Sequence, residues 1–160
     1  MLFKPKAILN IFTDFDMNKY YQEGFDTILL DIDNTIAIPD TGSMDERAKN
    51  FILDLKKTGF NVCIFSNNYK ERVKSFIGDN DIDFMHMVCK PLPFAYLLAV
   101  LRYKTSNKRT IVMGDQLLTD ILGANLSGCY GIYCKQLVEQ DSKTTARNRK
   151  IEKIIWRYIK

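Results

Sequence analysis

The stretch Thr27-Ile28-Leu29-Leu30-Asp31-Ile32-Asp33-Asn34-Thr35 decides how this chain is read. Its first four residues are β-branched or aliphatic, too few for a helix, and they follow Gly24, which suits a strand buried on both faces. Two acids and a hydroxyl then come where the strand stops. At strand spacing Asp31 and Asp33 project from one side, so two carboxylates meet at the cost of like-charge repulsion unless a cation lies between them or one takes a proton. Such a pair asks for a metal. Taken alone, the same residues also describe a plain turn after a strand.

Working outward, Ser43-Met44-Asp45-Glu46 matches a capping box and opens a helix near residue 44, with Ala48, Phe51, Ile52 and Leu55 on one face and Gly59 beyond its end. Asn61-Val62-Cys63-Ile64-Phe65 reads as a second strand running into Ser66-Asn67-Asn68. Residues 69–77 read as a helix and 79–84 as a loop, and Met87-Val88-Cys89 as a short third strand that ends at Lys90-Pro91. An apolar helix over 91–105 is expected to pack Leu97, Leu98, Val100 and Leu101 on the sheet. Thr110-Ile111-Val112-Met113 is the fourth strand, followed by Gly114-Asp115-Gln116 and a short helix over 119–126. Residues 130–134 form the fifth strand and 136–144 a surface loop. A final helix over 145–160 sets Ile151, Ile154, Ile155, Tyr158 and Ile159 against Arg147, Arg149, Lys150, Lys153 and Arg157. Ahead of the first strand, Ile8, Ile11, Phe12 and Phe15 recur at helical spacing, so a helix is expected over 7–15 and a second over 18–23.

Strands alternating with helices predict an α/β domain with a doubly wound, mostly parallel five-stranded sheet, Rossmann-like in plan. Ligands of such sheets sit beyond the carboxyl ends of the strands. Four of the five expected strands end there in a group that can do chemistry: Asp31 with Asp33, Ser66, Lys90 and Asp115. Converging on one tetrahedral anion, Lys90 and Ser66 would bind phosphoryl oxygens, while Asp31, Asp33 and Asp115 would supply hard oxygen ligands for Mg²⁺. One carboxylate can then attack phosphorus, and another can protonate the leaving oxygen and later deprotonate water. Asn67 and Asn68 either shape the phosphate loop or begin the next helix.

Of the 160 residues 46% are hydrophobic, and Lys and Arg outnumber Asp and Glu by 23 to 19, a mild excess that favours anionic partners without a nucleic-acid signature. No apolar run approaches the roughly 18 residues of a spanning helix, and the N-terminus has no signal-peptide pattern, which leads us to expect a cytoplasmic protein. The four dispersed cysteines have no C-x-x-C spacing and read as free thiols, three of them within apolar runs. His86, the one histidine, reads as structural.

Asp31-x-Asp33-x-Thr35, Ser66, Lys90-Pro91 and Gly114-Asp115-x-x-x-x-Asp120 resemble, in order, the four motifs of the haloacid-dehalogenase (HAD) superfamily. More narrowly, Asp33-Asn34-Thr35, Phe65-Ser66-Asn67-Asn68, Lys90-Pro91, residues 114–120 and Thr145-Ala146-Arg147-Asn148-Arg149 resemble the YqeG family of subclass IIIA phosphatases, kin to the mitochondrial phosphatidylglycerophosphate phosphatase. The resemblance implies Asp31 as nucleophile and Asp33 as general acid and base, with its main-chain carbonyl on Mg²⁺. It further implies Asp115 as a direct metal ligand, Asp120 acting on the metal from one step away, Thr35 bracing the turn, Ser66 binding a phosphoryl oxygen and Lys90 neutralising nucleophile and phosphate. Ile36-Ala37 departs from the family, where a leucine commonly follows the turn.

HAD-type caps are inserted after the first or the third strand, and neither place has room here. We therefore expect residues 1–160 to form a single capless domain with an open site, suited to a phosphate presented by something large or by a membrane surface. The basic final helix, and Lys4 and Lys6 near the first, could lie on anionic lipid at the inner membrane surface, or their apolar faces could simply cover the sheet. The specific expectation is a lipid phosphate such as phosphatidylglycerophosphate. The alternatives are a phosphatase of nucleic-acid ends or phosphoproteins, and a non-catalytic binding module on the same fold.

Overall fold

The computed structural model describes residues 1–139 and 143–159. In chain order its elements are β1 (Ala7–Leu9), α1 (Met17–Gln22), β2 (Thr27–Leu30), α2 (Glu46–Thr58), β3 (Asn61–Phe65), α3 (Lys70–Ile77), β4 (Asp83–Met85), α4 (Phe94–Arg102), β5 (Thr110–Gly114), α5 (Leu122–Ser127), β6 (Tyr130–Cys134) and α6 (Lys143–Ile159). The sheet runs β1-β6-β5-β2-β3-β4 with every pairing parallel. β2 lies between β3 and β5, so the segment that decides the fold is also its middle, and the chain reverses direction across the sheet on either side of it.

Alternation along the central strands sends side chains to two cores. Ile28, Leu30, Ile64, Ile111 and Met113 face Phe51, Ile52 and Leu55 of α2 and Val73 and Phe76 of α3. Leu29, Cys63, Phe65 and Val112 face the other way, against Ala95, Tyr96 and Ala99 of α4 and Ala124 of α5. Both faces of β2 are covered, which is why its sequence is a continuous apolar run rather than an alternating one. The doubly wound parallel plan is as expected, and the described residues include no substantial cap.

Several local expectations are corrected. The described residues form six strands rather than five, because residues 7–9 make an edge strand paired with β6, where a helix over 7–15 was expected. Phe12 and Phe15 reach the core from a single 3₁₀ turn over Phe12–Asp14. The strand beside β3 is Asp83–Met85, not 87–89; Ser66 N–H donates to the Met85 carbonyl, and Met87 and Cys89 lie beyond it with positive φ. α4 buries Ala95, Tyr96, Ala99 and Val100 and leaves Leu97, Leu98 and Leu101 exposed, the reverse of what three leucines suggested. Tyr96 fits because Gly123 leaves a gap: a Cβ there would lie 2.1 Å from the Tyr96 hydroxyl. α2 starts two residues later than expected, at Glu46, with Asp45 rather than Ser43 as its cap, accepting from Ala48 N–H at 2.8 Å. Part of the expected loop over 136–144, residues 140–142, lies outside the described residues, and α6 begins at Lys143. All four cysteines are free thiols; Cys89 is exposed, and burial pushes the Cys63 thiol up to about 11.

Candidate active site

Beyond the carboxyl end of β2, the Ile32 carbonyl accepts from the N–H groups of Thr35, Ile36 and Ala37, folding the chain into a tight turn with Asn34 at φ 61°. An asparagine tolerates that left-handed conformation better than most residues, and its side chain also accepts from Val138 N–H at 3.1 Å. The turn keeps Asp31 at the carboxyl end of β2, its N–H on the Met113 carbonyl, and lets Thr35 Oγ1 donate to Asp31 Oδ2 at 3.4 Å.

Lys90 arrives from beyond β4. Asn67 holds it there by accepting from its N–H at 2.7 Å and donating to its carbonyl at 3.3 Å, so both ends of the Asn67 amide shape the loop. The Lys90 ammonium bridges Asp31 Oδ1 at 2.6 Å and Asp120 Oδ1 at 2.7 Å. Asp120 is brought under it by a π-helical turn over Leu117–Ile121, a form that recurs at functional sites. Gln116 N–H, at 3.1 Å, and Thr119 Oγ1, at 3.2 Å, donate to the other Asp120 oxygen. Asp31, Asp115 and Asp120 each present an oxygen within 4.8 Å of the other two. The first, third and fourth expected tips therefore do gather, and Ser66 joins them in the lining of one cavity of about 290 Å³. Ser66 is buried and accepts from Asn68 N–H at 3.1 Å, leaving its own hydroxyl proton to be donated.

Asp33 is turned differently from the pairing that strand spacing suggests. Its carboxylate accepts from Asn68 Nδ2 at 2.8 Å and Arg72 Nη2 at 3.2 Å on the cavity wall, and the acid gathered beside Asp31 is Asp120. Asn68 helps shape the loop after β3, one of the two roles the sequence allowed it, whereas Arg72 and Glu152 are participants that sequence reading passed over. For Arg72 one signal was available: on a helix starting after Asn68 it lies at the end nearest the strand tips. Arg149, expected on the solvent face of the last helix, points inward, its guanidinium on both the main-chain carbonyl and Oδ2 of Asp115. Glu152 accepts from Arg149 Nη1 at 3.0 Å and from Leu118 N–H at 3.0 Å.

The electrostatics are those of a crowded acidic pocket. Burial, opposed by Lys90 and helped by the Asp120 charge, pushes Asp31 up to about 6. Burial likewise raises Asp115 far above the carboxylate range, against the pull of Arg149. Burial alone would depress Lys90, but Asp120 and Asp31 outweigh it and hold the ammonium above its ordinary value. The buried acids Asp31, Asp115, Asp120 and Glu152 face the cations Lys90 and Arg149, a formal surplus of two negative charges. Asp115 Oδ1 is buried without a hydrogen-bond partner among the described residues. An orphaned carboxylate oxygen in a pocket lacking two positive charges is what a hard divalent cation fits.

Gly114 makes this packing possible. A Cβ at this position would lie 2.1 Å from Asp120 Cγ, so Gly114→Ala must push Asp120 off Lys90. We expect a stability loss of about 1–3 kcal/mol, measured by urea denaturation, with activity falling alongside it. Unchanged values for both would show that the Asp120 position matters less than its contacts indicate.

The chain matches the family model "Mitochondrial PGP phosphatase" over residues 1–139. It is 34% identical over 133 residues to the Bacillus subtilis (strain 168) protein "Probable phosphatase YqeG", covering 83% of this chain and 77% of that one. Among solved structures it resembles an uncharacterized protein from Listeria monocytogenes serotype 4b, with TM-score 0.58 and 16% identity over 73% of this chain and 85% of that one. It also resembles the NMR structure of the core domain of a phosphoglycolate phosphatase candidate from Streptococcus pneumoniae TIGR4, with TM-score 0.53 and 17% identity over 80% and 96% of the two chains. At those identities the two structures speak to the fold alone.

Proposed function

The chain belongs to the mitochondrial PGP phosphatase family and is a phosphatase of HAD-like fold; from that premise we propose that it hydrolyses a lipid phosphomonoester, phosphatidylglycerophosphate, through an aspartyl phosphate on Asp31. The observation that carries this reading is the Lys90 ammonium fixed between Asp31 and Asp120, with Asp115 beside them, at the bottom of an open cavity.

Asp31 attacks phosphorus as the ester P–O bond breaks, and Asp33 gives its proton to the departing alkoxide. Asp33 then takes a proton from water, which attacks the same phosphorus, releasing inorganic phosphate and restoring Asp31. Lys90 offsets the charge of nucleophile and phosphoryl group, and Ser66 donates to a phosphoryl oxygen. Arg72 and Asn68 keep the Asp33 carboxylate at the cavity wall. Mg²⁺ would be held by Asp31, by Asp115 and by the Asp33 main-chain carbonyl, and when bound it polarises a phosphoryl oxygen and lessens the acids' mutual repulsion. Asp120, whose two oxygens are taken up by Lys90, Gln116 and Thr119, acts one step removed.

Several features support a lipid substrate. Exposed Ile38, Tyr69, Met87, Leu92 and Phe94 all follow strand ends, on the side where the cavity opens. Thr145 and Asn148 of α6 line that cavity, and from there the helix presents Ile151, Ile154 and Tyr158 outward among exposed Arg147, Lys150, Lys153 and Arg157. An outward apolar stripe flanked by cations suits an anionic bilayer. No helix among the described residues is long and apolar enough to cross a membrane, so the contact proposed is peripheral.

The test compares turnover of phosphatidylglycerophosphate in anionic vesicles with that of a 5′-phosphorylated oligonucleotide and a phosphopeptide, with Mg²⁺ and with chelator. We expect kcat/KM for the lipid to exceed the others by at least about 100-fold, and all activity to need the metal. Mg²⁺-dependent hydrolysis of an aryl phosphate together with an inert lipid would overturn the lipid reading.

A further inference from the structure

We infer that Arg149 is a positioning residue that fixes the orientation of Asp115, and that Glu152 holds Arg149 in place; this rests on the proposed reading of Asp115 as a metal ligand. Both residues lie beyond residue 139, where the match to the family model stops.

Asp115 has two carboxylate oxygens with different fates. Oδ2 accepts from Arg149 Nη2, whereas Oδ1 is buried with no partner among the described residues. The same guanidinium donates through Nη1 to the Asp115 main-chain carbonyl, so one planar group grips the residue at two points and prevents rotation about its side chain. The oxygen left over is thereby the one without a hydrogen bond that Asp115 can offer to the acidic cluster with Asp31 and Asp120. Glu152 is buried and has a carboxylate oxygen for each of two donors, Arg149 Nη1 and Leu118 N–H. The second ties α6 to the π-helical turn that carries Asp120, so the clamp spans both acids of the β5 tip.

A purely structural ion pair would make a different demand. Charge neutralisation needs only a cation near Asp115, which lysine provides; orientation needs the fork, which lysine lacks. α6 has its own apolar anchor in Ile159, packed with Leu117 and Ile121, so helix docking can be weakened without touching the clamp.

The experiment measures Mg²⁺ binding to the full chain by calorimetry, beside steady-state kinetics, for Arg149→Lys, Glu152→Gln and Ile159→Ala. Arg149→Lys is expected to weaken Mg²⁺ binding by about 10–100-fold while the substrate KM at saturating Mg²⁺ stays within about twofold of the native value. Glu152→Gln keeps an acceptor for Leu118 N–H and is expected to weaken Mg²⁺ binding by about 3–10-fold. Ile159→Ala should lower the melting temperature and leave Mg²⁺ affinity unchanged. Native-like Mg²⁺ affinity in both clamp variants overturns the inference, and so does an equal loss of affinity in Ile159→Ala, which would assign the effect to helix docking. A native protein that binds no Mg²⁺ overturns the reading of the site itself, and the inference with it.

Discussion

Asp31→Asn is expected to lower turnover by at least about 10⁴-fold and, with magnesium chelated, to raise the melting temperature at about pH 7.5. The first effect follows from losing the only protein nucleophile proposed to bond phosphorus. The second follows from the crowding of acids, because burial lifts Asp31 from the ordinary 3.8 to about 6 even with Lys90 in contact. Below about pH 4 folded and unfolded chains both carry the proton, and the aspartate costs nothing relative to asparagine. As pH rises the unfolded chain releases its proton first while the folded one still holds it, so native stability falls relative to the variant until about pH 6 and is level above. The interval corresponds to about 3 kcal/mol, or several degrees in a chain of this size. Thermal denaturation in chelator across this range checks the sign. A native protein that gains on the variant between about pH 4 and 7 would show Asp31 to be a favourable ion-pair partner rather than a strained one.

Lys90→Met should be the most destabilising single change at the site, by about 3–5 kcal/mol, with turnover lower by about 10³-fold. Its ammonium is almost fully enclosed and is the partner of both Asp31 and Asp120, so a thioether there strands two buried carboxylates. The two predictions are coupled. Combining Lys90→Met with Asp31→Asn removes one stranded charge along with its cation, so Asp31→Asn is expected to stabilise the Lys90→Met protein by about 1–3 kcal/mol more than it stabilises the native protein. Urea denaturation of the four proteins in the cycle measures this. Strict additivity would mean that Lys90 acts through Asp120 or through packing, not through Asp31.

Where sequence reading succeeded, a strong local pattern and the global fold agreed. β2, β3, β5 and β6 are apolar runs bounded by turn residues, and all were found at or within a residue of their observed limits. Their tips carried Asp31, Ser66 and Asp115, and parallel topology alone implies that such tips meet. Edge positions were harder. β1 pairs on one side only and keeps Ile8 exposed, so no buried run announces it, while Ile11, Phe12 and Phe15 imitate a helical stripe without forming one. β4 begins with an aspartate that pairs with Arg102 and Tyr103, which disguised the strand as loop. α4 was turned the wrong way because hydrophobicity says which residues favour burial, not which shapes fit. Close approach of α4 to Gly123 admits alanines and one tyrosine and excludes leucines. The contacts of Arg72, Arg149 and Glu152 depend on long-range docking, and a surface helix with basic residues looks the same before docking as after.

Synthesis from the N-terminus releases every strand before it releases the guanidinium that grips Asp115. A nascent chain that has just completed β6 therefore holds the β5 carboxylate without its counterion, and enclosing a lone anion is unfavourable enough that this tip stays hydrated. The Asp31 side of the site, with Lys90 already made, can settle first. The Asp115 side is finished only when the helix after residue 143 folds back, which makes the closing step of assembly a charge-pairing event rather than the completion of the sheet.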